Sequence, residues 1–212
     1  MLSVKEFTFS PVQENTYLLY NTQRDCWIID PGCYTDEEKR VLGDFIAAQG
    51  LKPVALLNTH CHLDHVFGNQ WVHKQYGLSL QLHAQEKRVL EYAPAAGLMW
   101  NMPFETYQGP LQILEAGQLL QLGEDVLEVL FVPGHSPGHI AFYSSKQSFV
   151  ISGDVLFRES IGRTDLPGGN HAQLISSIRN VLFPLPDETI VHSGHGMATT
   201  IGYEKKHNPF LR

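Results

Sequence analysis

The sequence predicts an α/β protein of the α+β kind, with two packed β-sheets flanked by helices. Three observations carry that expectation. Short apolar or β-branched runs bounded by Asn, Pro and Gly recur along the chain, as strands do. They come in consecutive groups and do not alternate one by one with helices, which argues against a doubly wound parallel sheet. The 212 residues are 43% apolar and 17% charged, enough for a sizeable core and neither disordered nor fibrous in composition. No linker, repeat or low-complexity tract divides the chain, so one domain over residues 1–212 is expected.

Taken in order, residues 16–20 and 26–30 read as the first strands, and a helix follows over 36–49, closed by Gly50. A strand over 54–58 comes next, then a helix over 69–76 closed by Gly77. Glycine takes the left-handed conformation that ends a helix at least cost. Residues 94–110 hold Met99, Trp100, Met102, Phe104 and Tyr107 without a helical or strand period. That segment reads as a long connection near the rim of the site described below, serving as lid, wall or interface, or else as a place where Trp100 and Phe104 seal the core. Strands over 126–132, 140–144 and 149–152 follow, then a helix over 171–182 with Asn170 and Gln173 spaced as in a capping box, and a last strand over 189–192.

Fifteen Lys and Arg against 22 Asp and Glu leave a net charge of −7, with no basic run longer than Lys205-Lys206. A phosphate backbone would meet little counter-charge, so nucleic acid is excluded as an expected partner. No apolar run approaches the ~20 residues of a membrane helix. The opening residues place Lys5 and Glu6 where a signal peptide would have its apolar stretch, which makes a cytoplasmic location the expectation. Cys26, Cys33 and Cys61 are too few, and odd in number, for a disulfide framework. The expected partner is a small-molecule substrate, and the expected state a monomer or small homo-oligomer.

Histidine is the unusual residue, with 11 copies. Four strand-like runs each lead through a short turn to histidine or aspartate: Thr59-His-Cys-His-Leu-Asp-His65, Pro133-Gly-His135, Gly153-Asp154 and Ser193-Gly-His195. If those strand ends share one edge, seven donors meet there: His60, His62, Asp64, His65, His135, Asp154 and His195. Seven are too many for one tetrahedral zinc and suit two ions with a shared ligand. In an extended loop, residues two apart face the same side, so His60 and His62 would chelate one ion with His135. Asp64, His65 and His195 would hold the second, and the two carboxylate oxygens of Asp154 would bridge. Cys61 points away from its neighbours in that loop and reads as a small buried filler. His73, His83, His171 and His207 read as surface or core residues. His139 and His192 read as structural residues or as hydrogen-bond partners of a ligand carboxylate.

The run His60-Cys-His-Leu-Asp-His65, with Pro133-Gly-His-Ser-Pro-Gly138, Ser152-Gly-Asp154 and Gly194-His-Gly196, resembles the metallo-β-lactamase superfamily. The stretch Gly162-Arg-Thr-Asp-Leu-Pro-Gly-Gly169 and the closing Asn208-Pro-Phe-Leu211 resemble its single-domain glyoxalase II-like group, related to hydroxyacylglutathione hydrolase. The resemblance implies an αββα sandwich with a dinuclear site at one edge and the same seven ligands in the same roles. It departs from a full glyoxalase II, which carries a further helical domain that contacts glutathione, and from the group's usual Pro-Gly-His-Gly-Pro, replaced here around His195.

Two functions follow as expectations. The first is hydrolysis, most readily of a hydroxyacylglutathione-type thioester, by hydroxide held between two divalent ions and oriented by Asp64. A bound water has its pKa lowered to about 7. A thiolate leaving group needs little protonation, which favours thioesters over amides where no dedicated acid is evident. Lactone or other ester cleavage fits the same site. The second is a mononuclear iron oxygenase resembling persulfide dioxygenases, which carry cysteine where this chain has His139 and a Gly-Cys pair where it has Ser160 and Ile161. Zinc is the expected metal, with iron or manganese accepting the same donors. Arg163 and Asp165 read as a loop salt bridge.

Overall fold

The computed structural model describes all 212 residues. The first sheet runs in the order β1 (Ser3–Phe9), β2 (Glu14–Tyr20), β3 (Asp25–Ile29), β4 (Lys52–Leu57), β5 (Leu80–His83) and β6 (Leu111–Leu114). Its helices are α1 (Asp36–Ala48), the single turn α2 (Leu63–Val66), α3 (Asn69–Tyr76) and α4 (Lys87–Met99). The second sheet is built from β7 (Leu119–Leu122), β8 (Asp125–Phe131), β9 (Ile140–Ser144) and β10 (Phe149–Gly153), with β13 (Ile190–Ser193) and β14 (Thr199–Thr200) beyond β10. Between β10 and β13 lie a small hairpin, β11 (Leu156–Phe157) with β12 (Ser160–Ile161), and α5 (His171–Ser177), which continues into a π-helical turn over Ile178–Leu182. The chain closes with α6 (Ile201–His207).

Strand periodicity sorts the core into three layers. In β3, Cys26 and Ile28 face the first helical layer, whereas Trp27 and Ile29 face the other sheet. In β9, Ile140 and Phe142 face the first sheet, and Ala141 and Tyr143 face α5 and its continuation. Successive strand side chains point to opposite faces, so a strand buried on both faces needs the unbroken apolar runs seen here. The result is an αββα sandwich. No helix is long and apolar enough to cross a membrane.

The strands expected from sequence all form, with ends within two residues of the expected ones. Helix α1 begins with a full capping box, in which Thr35 accepts from Glu38 N–H and the Glu38 side chain returns to Thr35 N–H. Asn170 caps α5 by accepting from Gln173 N–H at 3.0 Å.

The 94–110 segment is not one long connection. Helix α4 runs through Pro94 to Met99, because Leu90, Ala93 and Gly97 lie on one buried stripe whose packing outweighs the backbone bond that proline removes. At Gly97 a Cβ would fall 2.8 Å from Met102 O and 3.1 Å from the Phe104 ring, so glycine lets the returning chain cross close to the helix. Trp100 does not seal the core, being 58% exposed beside Met99 and Leu98 at 74% and 71%. That part is played by Tyr107, which is buried, accepts from Leu80 N–H at 2.8 Å and donates to Pro110 O at 2.7 Å. Phe104 packs edge-on against Phe67 at 5.0 Å.

Candidate metal centre

Strands β3 and β4 are parallel to each other, as are β10 and β13, and β8 joins that direction because both it and β10 run antiparallel to β9. Their C-terminal ends therefore deliver five turns to one edge of the sandwich. At that edge Asn15 N–H bonds Gly194 O at 2.7 Å and ties the first sheet to the second. The turn after β4 carries His60 and His62 and passes into α2 with Asp64 and His65. The turn after β8 carries His135, that after β10 Asp154, and that after β13 His195. Gly194 is required where it stands, since a Cβ there would collide with Asp154 Oδ1 and lie 2.8 Å from the His65 ring.

All seven expected donors meet. His60, His62 and His135 offer ligand atoms within 4.8 Å of one another, and so do Asp64, His65 and His195. Asp154 lies between the two groups: its Oδ2 is 3.5 Å from both His135 Nε2 and His195 Nε2, and its Oδ1 is 3.4 Å from His65 Nε2. Asp64 Oδ2 is 3.2 Å from His195 Nε2. A further grouping that the sequence did not suggest, Asp30 with His60 and His65, lies behind the cluster and is fully buried.

Hydrogen bonds fix which nitrogen faces inward on four of the rings, whereas His62 Nδ1 meets His135 Nε2 at 2.8 Å. His135 Nδ1 meets Arg163 O at 2.7 Å and His195 Nδ1 meets Gln13 O at 3.1 Å. A carbonyl only accepts, so both Nδ1 atoms carry the proton and, in the neutral ring, both Nε2 atoms turn a lone pair to the centre. His65 Nδ1 meets Asp30 Oδ2 at 3.1 Å, with the same consequence. Thr59 Oγ1 spends its proton on Asp30 Oδ2 at 2.6 Å and accepts from His60 Nδ1 at 3.1 Å. His60 Nε2, His65 Nε2 and Asp154 Oδ1 are buried without a hydrogen-bond partner. Lone pairs facing lone pairs and carboxylate oxygens need a cation between them, and this donor set fits two divalent ions.

The titration behaviour follows from the same crowding. Burial and the His135 ring push His62 down to about 3. His60 is held well below the ordinary histidine range by burial and the surrounding rings. Burial also disfavours charge on His65, but the Asp154 and Asp64 carboxylates outweigh it and push this histidine well up. Burial disfavours charge on both Asp154 and Asp64, but His65 and His195 together, with His135 for Asp154, outweigh it and hold both below the usual carboxylate range.

Other readings of single residues sort as follows. Cys61 is fully buried, as a filler would be. Arg163 and Asp165 form an exposed two-pronged salt bridge, and the unforeseen contribution of Arg163 is its carbonyl. His139 does not bond a ligand carboxylate; it stacks on His60 at 4.4 Å and meets Ser152 O at 3.1 Å. His192 does not either, and packs edge-on against Tyr17 and Phe149. Sequence reasoning missed Asp30 and Thr59, whose only signal is an aspartate and a threonine at strand ends, where such residues ordinarily serve turns.

A sequence profile described as the metallo-beta-lactamase superfamily matches residues 9–195. The probable metallo-hydrolase YqgX of Bacillus subtilis is 40% identical over 95% of this chain and 93% of its own. The hydroxyacylglutathione hydrolase GloC of Haemophilus influenzae is 35% identical over 99% and 98%. Among solved structures, the BLEG-1 B3 metallo-beta-lactamase superposes with a TM-score of 0.90 at 40% identity, covering 99% of each chain. TTHA1623 in a di-iron-bound form superposes with a TM-score of 0.88 at 40% identity, covering 98% of this chain and 100% of its own. The chain belongs to the metallo-beta-lactamase superfamily, within its glyoxalase II-like group.

Proposed function

We propose that this protein is a dinuclear metal-dependent hydrolase of thioesters of the hydroxyacylglutathione type. The observation that carries the reading is the set of inward lone pairs on His60, His65, His135 and His195 around the Asp64 and Asp154 carboxylates. His60, His62 and His135 would hold one divalent ion, Asp64, His65 and His195 the other, and Asp154 both. When bound, such ions supply Lewis acidity toward a carbonyl and lower the pKa of water to about 7.

The chain's own groups do the rest. The carbonyls of Gln13 and Arg163, with Thr59 and Asp30, hold Nδ1 of His195, His135, His60 and His65 outward and aim Nε2 at the centre, so these rings need no reorientation before they can ligate. Asp64 has a partly exposed carboxylate and orients the attacking water by accepting one of its hydrogens. The thiolate then departs with little need of a proton, which an amine would require. Zinc is the proposed metal; iron and manganese accept the same donors, and one solved relative is di-iron. The likeness to a hydroxyacylglutathione hydrolase supports the thioester over other esters.

The test is metal analysis of protein purified without added metal, followed by turnover of S-D-lactoylglutathione, other thioesters, lactones and a β-lactam. Two ions per chain and metal-dependent thioester turnover are expected. A panel with no thioester turnover would overturn the substrate, and oxygen uptake driven by glutathione persulfide would give the site to the oxygenase chemistry.

A further inference from the structure

The turns that carry His60 and His62 and that carry His135 belong to different sheets, so their spacing is not set by either sheet's own ladder. One main-chain bond, Ile140 N–H to Thr59 O at 2.9 Å, joins them directly. The side chain of Glu86 adds three more. This glutamate stands in the 3-10 turn Ala84–Glu86 after β5, and no solvent reaches it. Its Oε2 accepts from Cys61 N–H at 2.8 Å, between the two histidines of the first turn. Its Oε1 accepts from Ser136 Oγ at 2.5 Å, next to His135, and from Gly138 N–H at 2.7 Å, next to the His139 ring that stacks on His60. A Cβ on Gly138 would fall 2.8 Å from Glu86 N, so glycine is what lets the turn come this close.

We propose that Glu86 is a positioning residue for the three-histidine site, holding the two turns at the separation at which His60, His62 and His135 ligate one ion together. The idea rests on the metal-binding reading above. Two carboxylate oxygens serve three donors from two turns, and no other group can replace them in kind. A glutamine of the same size keeps one carbonyl oxygen and turns its two N–H hydrogens the other way, so either Cys61 N–H or Gly138 N–H loses its acceptor, while the Ser136 hydroxyl can rotate to accept. Loss of such outer partners of ligands lowers metal affinity by about 10- to 100-fold. Glu204 supplies the contrast. It too is fully buried, and it accepts from Thr199, Glu159 N–H and Asn208, none of which lies in the turns that carry His60, His62 and His135.

The experiment is a graded chelator challenge of the metal-loaded protein, read as ions retained per chain and, with cobalt in place of the native metal, as the visible spectrum. Glu86→Gln is expected to release one ion at about 10- to 100-fold lower chelator strength while the other ion is held as in the parent. Ser136→Ala, which removes one of the three bonds, shifts the same ion in the same direction by less. Glu204→Gln lowers the denaturant midpoint and leaves both ions in place. Parental retention and spectrum in a folded Glu86→Gln overturn the proposal, as does an equal shift in Glu204→Gln. Should Glu86→Gln fail to fold, parental retention in Ser136→Ala overturns it. A parent that binds no ion overturns the metal reading itself, a result distinct from a parent with two ions and a Glu86 variant with the same two.

Discussion

Asp30 Oδ2 accepts the Nδ1 proton of His65 at 3.1 Å, and through that bond an aspartate that is itself no predicted ligand decides which face His65 shows to the centre. The same carboxylate accepts from Thr59 Oγ1 at 2.6 Å, Thr59 N–H at 2.7 Å and Asn58 Nδ2 at 3.0 Å. Its backbone stands at φ 47°, a left-handed conformation that aspartate tolerates better than most side chains. One residue thereby orients His65 directly and His60 by way of Thr59.

Asp30→Asn is expected to damage stability and metal binding together. Four donors converge on the carboxylate, and an amide accepts at one oxygen while turning its own hydrogens on the rest. Each buried donor left unpaired costs about 1–3 kcal/mol. The denaturant midpoint should fall with little change in slope, and affinity for the ion held by His65 should drop by about 10- to 100-fold. A midpoint and metal content equal to the parent's would show that water or a rotated Thr59 replaces the carboxylate.

Removal of the ions should lower thermal stability reversibly. Asp64 and Asp154 lie between histidines whose inward nitrogens carry lone pairs, so without a cation either protons must be taken up or like groups must repel. A ligand that binds only the native state stabilises it by about 4 kcal/mol at a thousandfold excess over its Kd. Calorimetry on protein before chelation, after it and after zinc is restored measures this. An unfolding temperature unmoved by chelation would mean that the cluster is held by protonated histidine alone.

The seven candidate donors were legible because each is a metal-competent residue in a segment that follows a strand, five in turns and Asp64 and His65 in the short helix α2. What orients them was not. Two of the fixing groups are the main-chain carbonyls of Gln13 and Arg163, which no side-chain pattern announces. Asp30 and Glu86 act by long-range hydrogen bonds, and locally they look like a turn aspartate and a helix-start glutamate. The fold was legible where strands are buried on both faces, as in β3 and β9, since their unbroken apolar runs leave little choice. Edge elements were harder: β6 and β7 are largely exposed, and α4 hides its buried stripe of Leu90, Ala93 and Gly97 behind a proline that reads as a break.

Trp100→Ala should change stability by no more than about 0.5 kcal/mol, the usual range for surface substitutions. Trp100 is 58% exposed at the end of α4, so truncation opens no cavity. Tyr107→Phe should cost more although it removes a single oxygen. That hydroxyl takes the Leu80 N–H and gives to Pro110 O; without it the Leu80 N–H keeps only its longer bond to Pro110 O at 3.2 Å, and the two lost bonds cost about 0.5–1.5 kcal/mol each. Denaturant midpoints of the two variants, measured side by side, check the ordering. A Trp100 variant weaker than the Tyr107 variant would mean that the tip of α4 is covered in solution.

His192 should make the protein less stable in mild acid. Its ring is packed between Tyr17 and Phe149, and burial pushes it down to about 4. The unfolded chain takes up that proton near the ordinary value of about 6.5, so between these two values the unfolded state binds more protons than the native one. Stability then rises with pH across the window: it is unaffected above about 6.5 and falls progressively as pH drops toward 4. His192→Phe keeps a ring against the same two neighbours and has no proton to take. The stability of the variant relative to its parent, followed by denaturant midpoint at several pH values, should therefore improve as pH falls through this window, by at most about 1.4 kcal/mol per pH unit. Because both proteins keep the same ligands, acid effects at the metal centre cancel in the difference. A difference that stays flat from pH 7 to pH 4.5 would show that His192 is protonated in the folded protein, its burial relieved by water reaching the ring.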